Sequence, residues 1–176
     1  MTKLLGISGS LRAGSTNTLL LHEAARLFDA ESFAMGDLNL PLYNGDVEDT
    51  DGIPTAVQTL ADQIAAADAV IIATPEYNKS ISGVLKNALD WVSRTEGNVW
   101  ADKPVAIMSS AAGRAGGERA QFALRLCMTP FRADLIQGPE VLVGTNYQEF
   151  DENGRLTGES YVKMLTALMK RLKARV

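Results

Sequence analysis

The stretch Lys3–Leu21, KLLGISGSLRAGSTNTLLL, constrains the fold more than any other part of this chain. The apolar run Leu4–Ile7 predicts a buried strand, and Ser8–Thr18 is rich in small and polar residues before apolar residues resume at Leu19. A strand, a loop and a helix start in this order are typical of the first βα turn of an open α/β sheet. The loop is longer than a turn requires, so it predicts either a plain connection or a concave site for a phosphate, built from N–H groups, hydroxyls and a helix dipole.

The side chains of this loop have the chemistry that a phosphate requires. Arg12 carries a planar cation that matches phosphate oxygens, and Asn17 or Thr16 is predicted to cap the helix that follows. The candidate side-chain donors are Ser10, Arg12, Ser15, Asn17 and Thr18.

Length and composition narrow the class of protein. The 176 residues predict one domain over residues 1–176, and no segment approaches the roughly 18 apolar residues of a membrane span. Met1-Thr2-Lys3 leads directly into the first strand without the pattern of a cleaved leader, so we expect a cytoplasmic protein. A net charge of −4 without a basic, aromatic-rich stripe argues against nucleic acid as a partner.

The residue types that mark metal or thiol chemistry are sparse. Cys127, the single cysteine, lies in an apolar run and is interpreted as a core thiol rather than a nucleophile. His22, the single histidine, is expected on the surface of the first helix. No cluster has the spacing of metal ligands, so no metal site is predicted.

Strand and helix patterns alternate along the chain. The predicted strands are Leu4–Ile7, Ser32–Met35, Asp68–Ala73, Pro104–Ser109 and a segment Ala133–Val143 interrupted at Gly138-Pro139. The predicted helices are Leu19–Phe28, Pro54–Ala67, Ser82–Ser93, Gly117–Thr129 and Gly158–Ala174, and Gly36–Gly52 is expected to be a surface loop. This alternation predicts an α/β fold: a flavodoxin-like, doubly wound, five-stranded parallel sheet of order 2-1-3-4-5 with helices on both faces.

Three unusual loops follow predicted strands 1, 3 and 4, and ligands in such sheets bind beyond the carboxyl ends of the strands. The second of these loops offers a backbone held by Pro75, the aromatic plane of Tyr77 and the amide of Asn78. The third offers Ser110 and a glycine-lined backbone through Gly113. A phosphate anchor, a flat slot and a rim of hydrogen-bonding groups are what flavin mononucleotide (FMN) requires.

The same segments resemble the NADPH-dependent FMN reductase family, which includes bacterial quinone and chromate reductases and related azoreductases. The matching segments are GSLRAGSTN (Gly9–Asn17), TPEYNKSISGVLKNALDW (Thr74–Trp91) and SSAAGRAGGERAQ (Ser109–Gln121). The resemblance implies FMN as cofactor, NADPH or NADH as electron donor, and a homodimer or homotetramer with the helix after PEYN at its interface. By position, it implies that FMN is contacted by Ser10, Leu11, Arg12, Ala13, Gly14, Ser15, Thr16, Asn17, Pro75, Glu76, Tyr77, Asn78 and Ser110.

Some positions leave alternatives open. Phe122 stands where family members often have Tyr, and Lys79 where they often have an aromatic or small residue. Lys79 is either a solvated surface lysine or a cation for an anionic acceptor or the NADPH 2′-phosphate. Arg114 and Arg119 either grip a dinucleotide phosphate or form interface ion pairs. For Glu76 a hydrogen-bonding role is favoured over acid–base catalysis, because hydride transfer through a flavin requires no protein base.

The functional hypothesis is an FMN-dependent NAD(P)H oxidoreductase with a ping-pong mechanism. Its acceptor would be small: a quinone, a flavin, an azo compound or an oxidised metal such as chromate. The alternative is a flavodoxin-type electron carrier without its own NAD(P)H activity. A P-loop or a phosphatase loop is excluded, because neither Gly-Lys-Ser/Thr nor a cysteine occurs between Gly6 and Thr18.

Overall fold

The computed structural model describes residues 2–176. Its strands are β1 (Lys3–Ser8), β2 (Ser32–Gly36), β3 (Ala69–Thr74), β4 (Pro104–Ser110), β5 (Asp134–Leu135) and β6 (Val141–Val143). Its helices are α1 (Thr16–Phe28), α2 (Gly45–Asp51), α3 (Thr55–Ala66), α4 (Gly83–Val92), α5 (Glu118–Met128) and α6 (Glu159–Lys173).

The strands form one parallel sheet of order β2-β1-β3-β4-β5, with β6 also pairing with β4. The predicted order 2-1-3-4-5 is therefore confirmed. The fifth strand position holds two short segments, β5 and β6, on either side of Gly138-Pro139, where the sequence predicted an interruption.

Helices cover both faces of the sheet, and each face has its own core. Every residue of β3 is buried, as the unbroken apolar run Ala69–Ala73 predicts for a strand covered on both sides. One core joins the sheet to α3, α4 and α5 through residues such as Ile64, Leu89 and Leu124. The other joins it to α1 and α6 through residues such as Leu20 and Leu168.

The predicted start of α1 was wrong by three residues. The helix begins at Thr16 rather than Leu19, and its N-cap is Ser15 rather than Thr16 or Asn17. The Ser15 hydroxyl accepts a hydrogen bond from the Thr18 N–H at 3.4 Å. The last three residues of the predicted loop, Thr16, Asn17 and Thr18, therefore belong to the first helical turn, and the Ser15 side chain caps that turn.

The predicted loop Gly36–Gly52 contains α2, which the sequence analysis missed. Asn44 caps this helix by accepting from the Asp46 N–H at 3.0 Å. None of its residues is buried, so it has no apolar periodicity that could have revealed it.

The segment before α2 is fastened to α4. Asn87 accepts from the Tyr43 N–H at 2.8 Å and donates to the Pro41 carbonyl at 2.9 Å, and the Trp91 Nε1–H donates to the same carbonyl at 2.8 Å. Trp91 itself is fully buried.

The remaining sequence interpretations concern isolated residues. His22 is exposed, as expected, and Cys127 is half-buried against the core rather than fully inside it. Among residues 2–176, no helix combines the length and the apolar character that crossing a membrane requires.

Candidate functional site

A cleft of about 450 Å³ lies at the carboxyl edge of the sheet. The loops after β1, β3 and β4 meet there, as the sequence predicted, together with the segment after β6. The lining residues are Ser10, Arg12, Gly14, Ser15, Thr16, Asn17, Pro75, Glu76, Tyr77, Ser110, Ala111, Ala112, Asn146 and Tyr147. Of the predicted cofactor residues, only Leu11, Ala13 and Asn78 are outside this lining.

The loop after β1 is tied to the end of β3 at Gly9. The Gly9 N–H donates to the Ala73 carbonyl at 2.8 Å, and the Ser82 hydroxyl donates to the Gly9 carbonyl at 2.6 Å. A Cβ at position 9 would lie 3.0 Å from Pro75 Cδ and 3.2 Å from Ser82 Oγ, so a glycine lets the two loops approach. This contact holds the two loops together where residues of both line the same cleft.

Loop 9–15 and the start of α1 present unused hydrogen-bond donors. Within residues 2–176, the N–H groups of Leu11, Ala13, Gly14, Thr16 and Asn17 have no acceptor. A Cβ added at Gly14 would meet nothing within 4 Å, so this part of the loop is open. Unpaired N–H groups at a helix N-terminus attract an anion, and the residues present therefore fit a phosphate group.

Two of the predicted side-chain donors are committed elsewhere. The buried Asn17 amide donates to the Ser110 carbonyl and accepts from the Ser110 N–H, both at 2.9 Å. The Thr18 hydroxyl donates to Ser8 Oγ at 3.0 Å. Asn17 therefore fixes the end of β4 against α1, and only its N–H is free toward the cleft, whereas Ser10, Arg12 and Ser15 line the cleft.

Glu76 connects the loop after β3 to helix α5. Its Oε2 accepts from the N–H groups of Arg119 at 3.0 Å and Ala120 at 3.3 Å. The N-cap residue of α5 is Gly117, which has no side chain for this purpose. Glu76 therefore caps α5 from a distant loop, which agrees with the hydrogen-bonding role predicted for it.

The residues after Glu76 form a tight turn. Tyr77 and Ser80 exchange backbone hydrogen bonds at 3.0 and 3.1 Å, while Asn78 (φ 50°) and Lys79 (φ 68°) are left-handed. Two left-handed central residues are typical of a type I′ turn, in which asparagine is common and lysine is not. The turn leaves Tyr77 half-exposed on the cleft wall.

The loop after β4 is held down by a buried glutamine. Gln121 Nε2 donates to Ser109 Oγ at 2.9 Å and to the Val141 carbonyl at 2.8 Å, and Ser109 donates to the Gly116 carbonyl at 2.5 Å. A Cβ at Gly116 would lie 2.4 Å from the Leu142 backbone. This network fixes the backbone from which Ser110, Ala111 and Ala112 line the cleft.

Sequence reasoning missed Asn146 and Tyr147. Both follow β6 in the run Gly-Thr-Asn-Tyr, a polar segment directly after a short apolar strand. The same rule that identified the other loops would have found this one, because every parallel strand ends at the same edge of the sheet.

The other candidate features do not join this cleft. The side chains of Lys79, Arg114 and Arg119 are exposed, lie outside the lining and make no ion pair within residues 2–176. The described residues contain no group of three or more His, Cys, Asp or Glu that could hold a metal. A larger cavity, about 590 Å³, lies between α4 and α5 and is lined by apolar residues such as Leu89 and Leu126 and by polar ones such as Asp90 and Asn98. It contains none of the predicted cofactor residues.

Comparison with known proteins places the chain in a family. The sequence model of the NADPH-dependent FMN reductases matches residues 2–148. The chain is 42% identical to an NAD(P)H-dependent FMN reductase of Pseudomonas aeruginosa over 173 residues, covering 97% of this chain and 93% of that protein. It is 37% identical to a quinone reductase of Escherichia coli K12, covering 93% and 89%.

A solved structure agrees with these relatives. FerB, a flavoenzyme NAD(P)H:(acceptor) oxidoreductase from Paracoccus denitrificans, superposes with a TM-score of 0.88 at 30% identity, covering 99% of this chain and 96% of that one. Both the family match and the relatives extend over most of the chain and include the loops that build the cleft. The chain therefore belongs to the NADPH-dependent FMN reductase family.

Proposed function

We propose that this protein binds FMN in the cleft and works as an NAD(P)H-dependent oxidoreductase that reduces a small acceptor. One observation carries the proposal: three residues that line this cleft, Gly14, Thr16 and Asn17, have backbone N–H groups without acceptors within residues 2–176. The family assignment and the flavoenzyme relatives support the same function.

Each wall of the cleft contributes a different part of the binding. The free N–H groups of loop 9–15 and α1, together with Ser10, Arg12 and Ser15, would hold the phosphate. Residues 75–77 would lie beside the isoalloxazine ring, and Ser110 would contribute to the rim. Bound FMN would supply the hydride-accepting and electron-donating chemistry.

The titratable residues of the lining favour a binding role for the chain over acid–base catalysis. Glu76 is the only carboxylate among the lining residues, and one of its oxygens already accepts two backbone hydrogen bonds. The chain's contribution is then to position the cofactor and to admit donor and acceptor. With one cleft for both, they bind alternately, which gives ping-pong kinetics.

The proposed acceptor is a quinone, a flavin, an azo compound or an oxidised metal ion. The lining has few side chains that could select one of these by specific hydrogen bonds. Relatives named quinone reductases make a quinone the first acceptor to test. We further propose a cytoplasmic homodimer or homotetramer; the exposed apolar side chains of Leu42 and Leu126 support association.

The test is flavin loading followed by anaerobic reduction. The purified protein is incubated with FMN, freed of excess flavin and mixed with NADPH and, separately, NADH. Retained flavin that bleaches on addition of either nucleotide supports the enzyme. Retained flavin that stays oxidised with both supports a flavodoxin-type carrier, and no retained flavin refutes FMN binding.

Ping-pong kinetics have their own test. Initial rates measured over a grid of NADPH and 1,4-benzoquinone concentrations are expected to give parallel double-reciprocal lines. Intersecting lines would show that donor and acceptor bind together and would refute the shared cleft.

The oligomeric state is tested by sedimentation equilibrium of the FMN-loaded protein. A monomer over the whole concentration range would contradict the proposed homodimer or homotetramer.

A further inference from the structure

The segment 144–148, here called the corner segment, combines strain with tight packing. Thr145 is left-handed (φ 49°), a conformation that is an outlier for a β-branched residue. Such strain persists only where the surrounding structure enforces it, and it concentrates at binding and catalytic sites.

The surroundings of the corner segment do enforce it. A Cβ at Gly144 would lie 2.5 Å from the Arg114 carbonyl oxygen, and the Gly144 N–H donates to the Tyr161 hydroxyl at 3.3 Å. The Asn146 N–H donates to the Ala111 carbonyl at 3.4 Å. The corner segment is therefore packed against the loop after β4 rather than projecting freely from the fold.

Asn146 links the corner segment to the anion-binding end of the cleft. Its Nδ2 donates to Thr16 Oγ1 at 2.8 Å, and Thr16 Oγ1 also accepts from the Ser110 hydroxyl at 3.0 Å. Thr16 is the first residue of α1, where the N–H groups lack acceptors. Asn146 is thus fastened to the start of α1, and the next residue, Tyr147, lines the same cleft as Thr16 and Asn17.

Tyr147 is conspicuous because it is large, unpartnered and on the cleft. It is 69% exposed and lines the cleft, and its hydroxyl has no partner within residues 2–176. We propose that the Tyr147 hydroxyl donates a hydrogen bond to the FMN phosphate, and that Asn146 is the positioning residue that directs it there. This inference rests on the proposed function, because it assumes that FMN is the ligand of the cleft.

The test compares two flavins that differ only in the phosphate. Flavin fluorescence is titrated with the parent apoprotein and with Tyr147→Phe, which removes the hydroxyl and keeps the ring. We expect Tyr147→Phe to raise the Kd for FMN about tenfold, as for a lost hydrogen bond to a charged group. The Kd for riboflavin, which has no phosphate, is expected to stay unchanged.

A second readout is the phosphorus NMR signal of bound FMN, which is expected to shift between the parent and Tyr147→Phe. An unchanged FMN Kd together with an unchanged phosphorus signal would overturn the proposal. Equal losses for FMN and riboflavin would also overturn it, because they would place Tyr147 at the shared part of the flavin. If the parent still binds FMN and bleaches with NADPH, either result refutes only this inference; a parent that binds no FMN refutes both.

The positioning role of Asn146 is tested by coupling. Asn146→Ala alone is expected to weaken FMN binding selectively, as Tyr147→Phe does. In the Tyr147→Phe background, the same substitution is expected to add less than about twofold, because the hydroxyl that it positions is already absent. Effects that multiply in the double variant would show that Asn146 acts independently and would overturn its positioning role.

Discussion

Glu76 offers the sharpest test of how this site is assembled. The N-cap residue of α5, Gly117, has no side-chain acceptor, and the Glu76 carboxylate accepts from the N–H groups of Arg119 and Ala120 instead. Removing this carboxylate should therefore destabilise the start of α5 and release the loop after β3 from it.

The expected magnitude follows from the two interactions that are lost. A side-chain cap contributes about 1 kcal/mol, and a carboxylate near a helix N-terminus adds about 0.3–1 kcal/mol through the helix dipole. Glu76→Ala should lower the free energy of unfolding by about 1.5 kcal/mol, which lowers Tm by about 3–6 °C for a chain of this size. Glu76→Gln keeps an acceptor oxygen and loses only the charge, so it should lower the free energy of unfolding by about 0.5 kcal/mol.

The assay is urea unfolding of the apoprotein, with Glu118→Gln as the matched control. Glu118 lies in the first turn of the same helix, so this variant removes a charge there without removing the cap. Glu76→Gln should also retain NADPH oxidation, because no protein base is required. The reasoning would be refuted if Glu76→Ala were as stable as the control, or if Glu76→Gln lost turnover at unchanged stability and FMN affinity.

Three further substitutions probe other parts of the molecule. Arg12→Ala should weaken FMN binding about tenfold or more in a fluorescence titration by removing a charge-assisted phosphate contact, and unchanged affinity would contradict this role. Lys79→Gly should raise the free energy of unfolding by about 0.5–1 kcal/mol, because glycine is unstrained at φ 68°. Lys79→Ala, which keeps the strain, is the control, and equal stabilities of the two variants would contradict the prediction. The hydrogen bond from Arg26 holds the pKa of Glu23 below its usual value of 4.5. The folded state therefore binds fewer protons, so this stabilisation is present above pH 4.5 and is lost as the pH falls through the lower, folded-state pKa. Glu23→Gln should flatten the dependence of the free energy of unfolding on pH in this acidic range. Equal slopes for the parent and the variant would argue against a lowered pKa of Glu23 in the folded state.

Much of the architecture could be predicted because its signals are local. The alternation of strand and helix patterns indicated the sheet order, and the apolar run Ala69–Ala73 of β3 indicated a strand buried on both faces. Since parallel strands end at one edge, the loops after β1, β3 and β4 could be assigned to one site before any contact was known. Where a local signal was missing, as in the wholly unburied helix α2, the prediction was wrong.

The detailed roles of the site residues depend on contacts between distant parts of the chain. The Asn17 amide meets the Ser110 backbone across 93 positions, and Asn146 meets Thr16 across 130. Glu76 reaches α5 across 43 and 44 positions. Residue types and spacing indicate that these side chains can form hydrogen bonds. Which partner each one finds is decided only when the sheet order and helix packing bring separate strand ends within bonding distance.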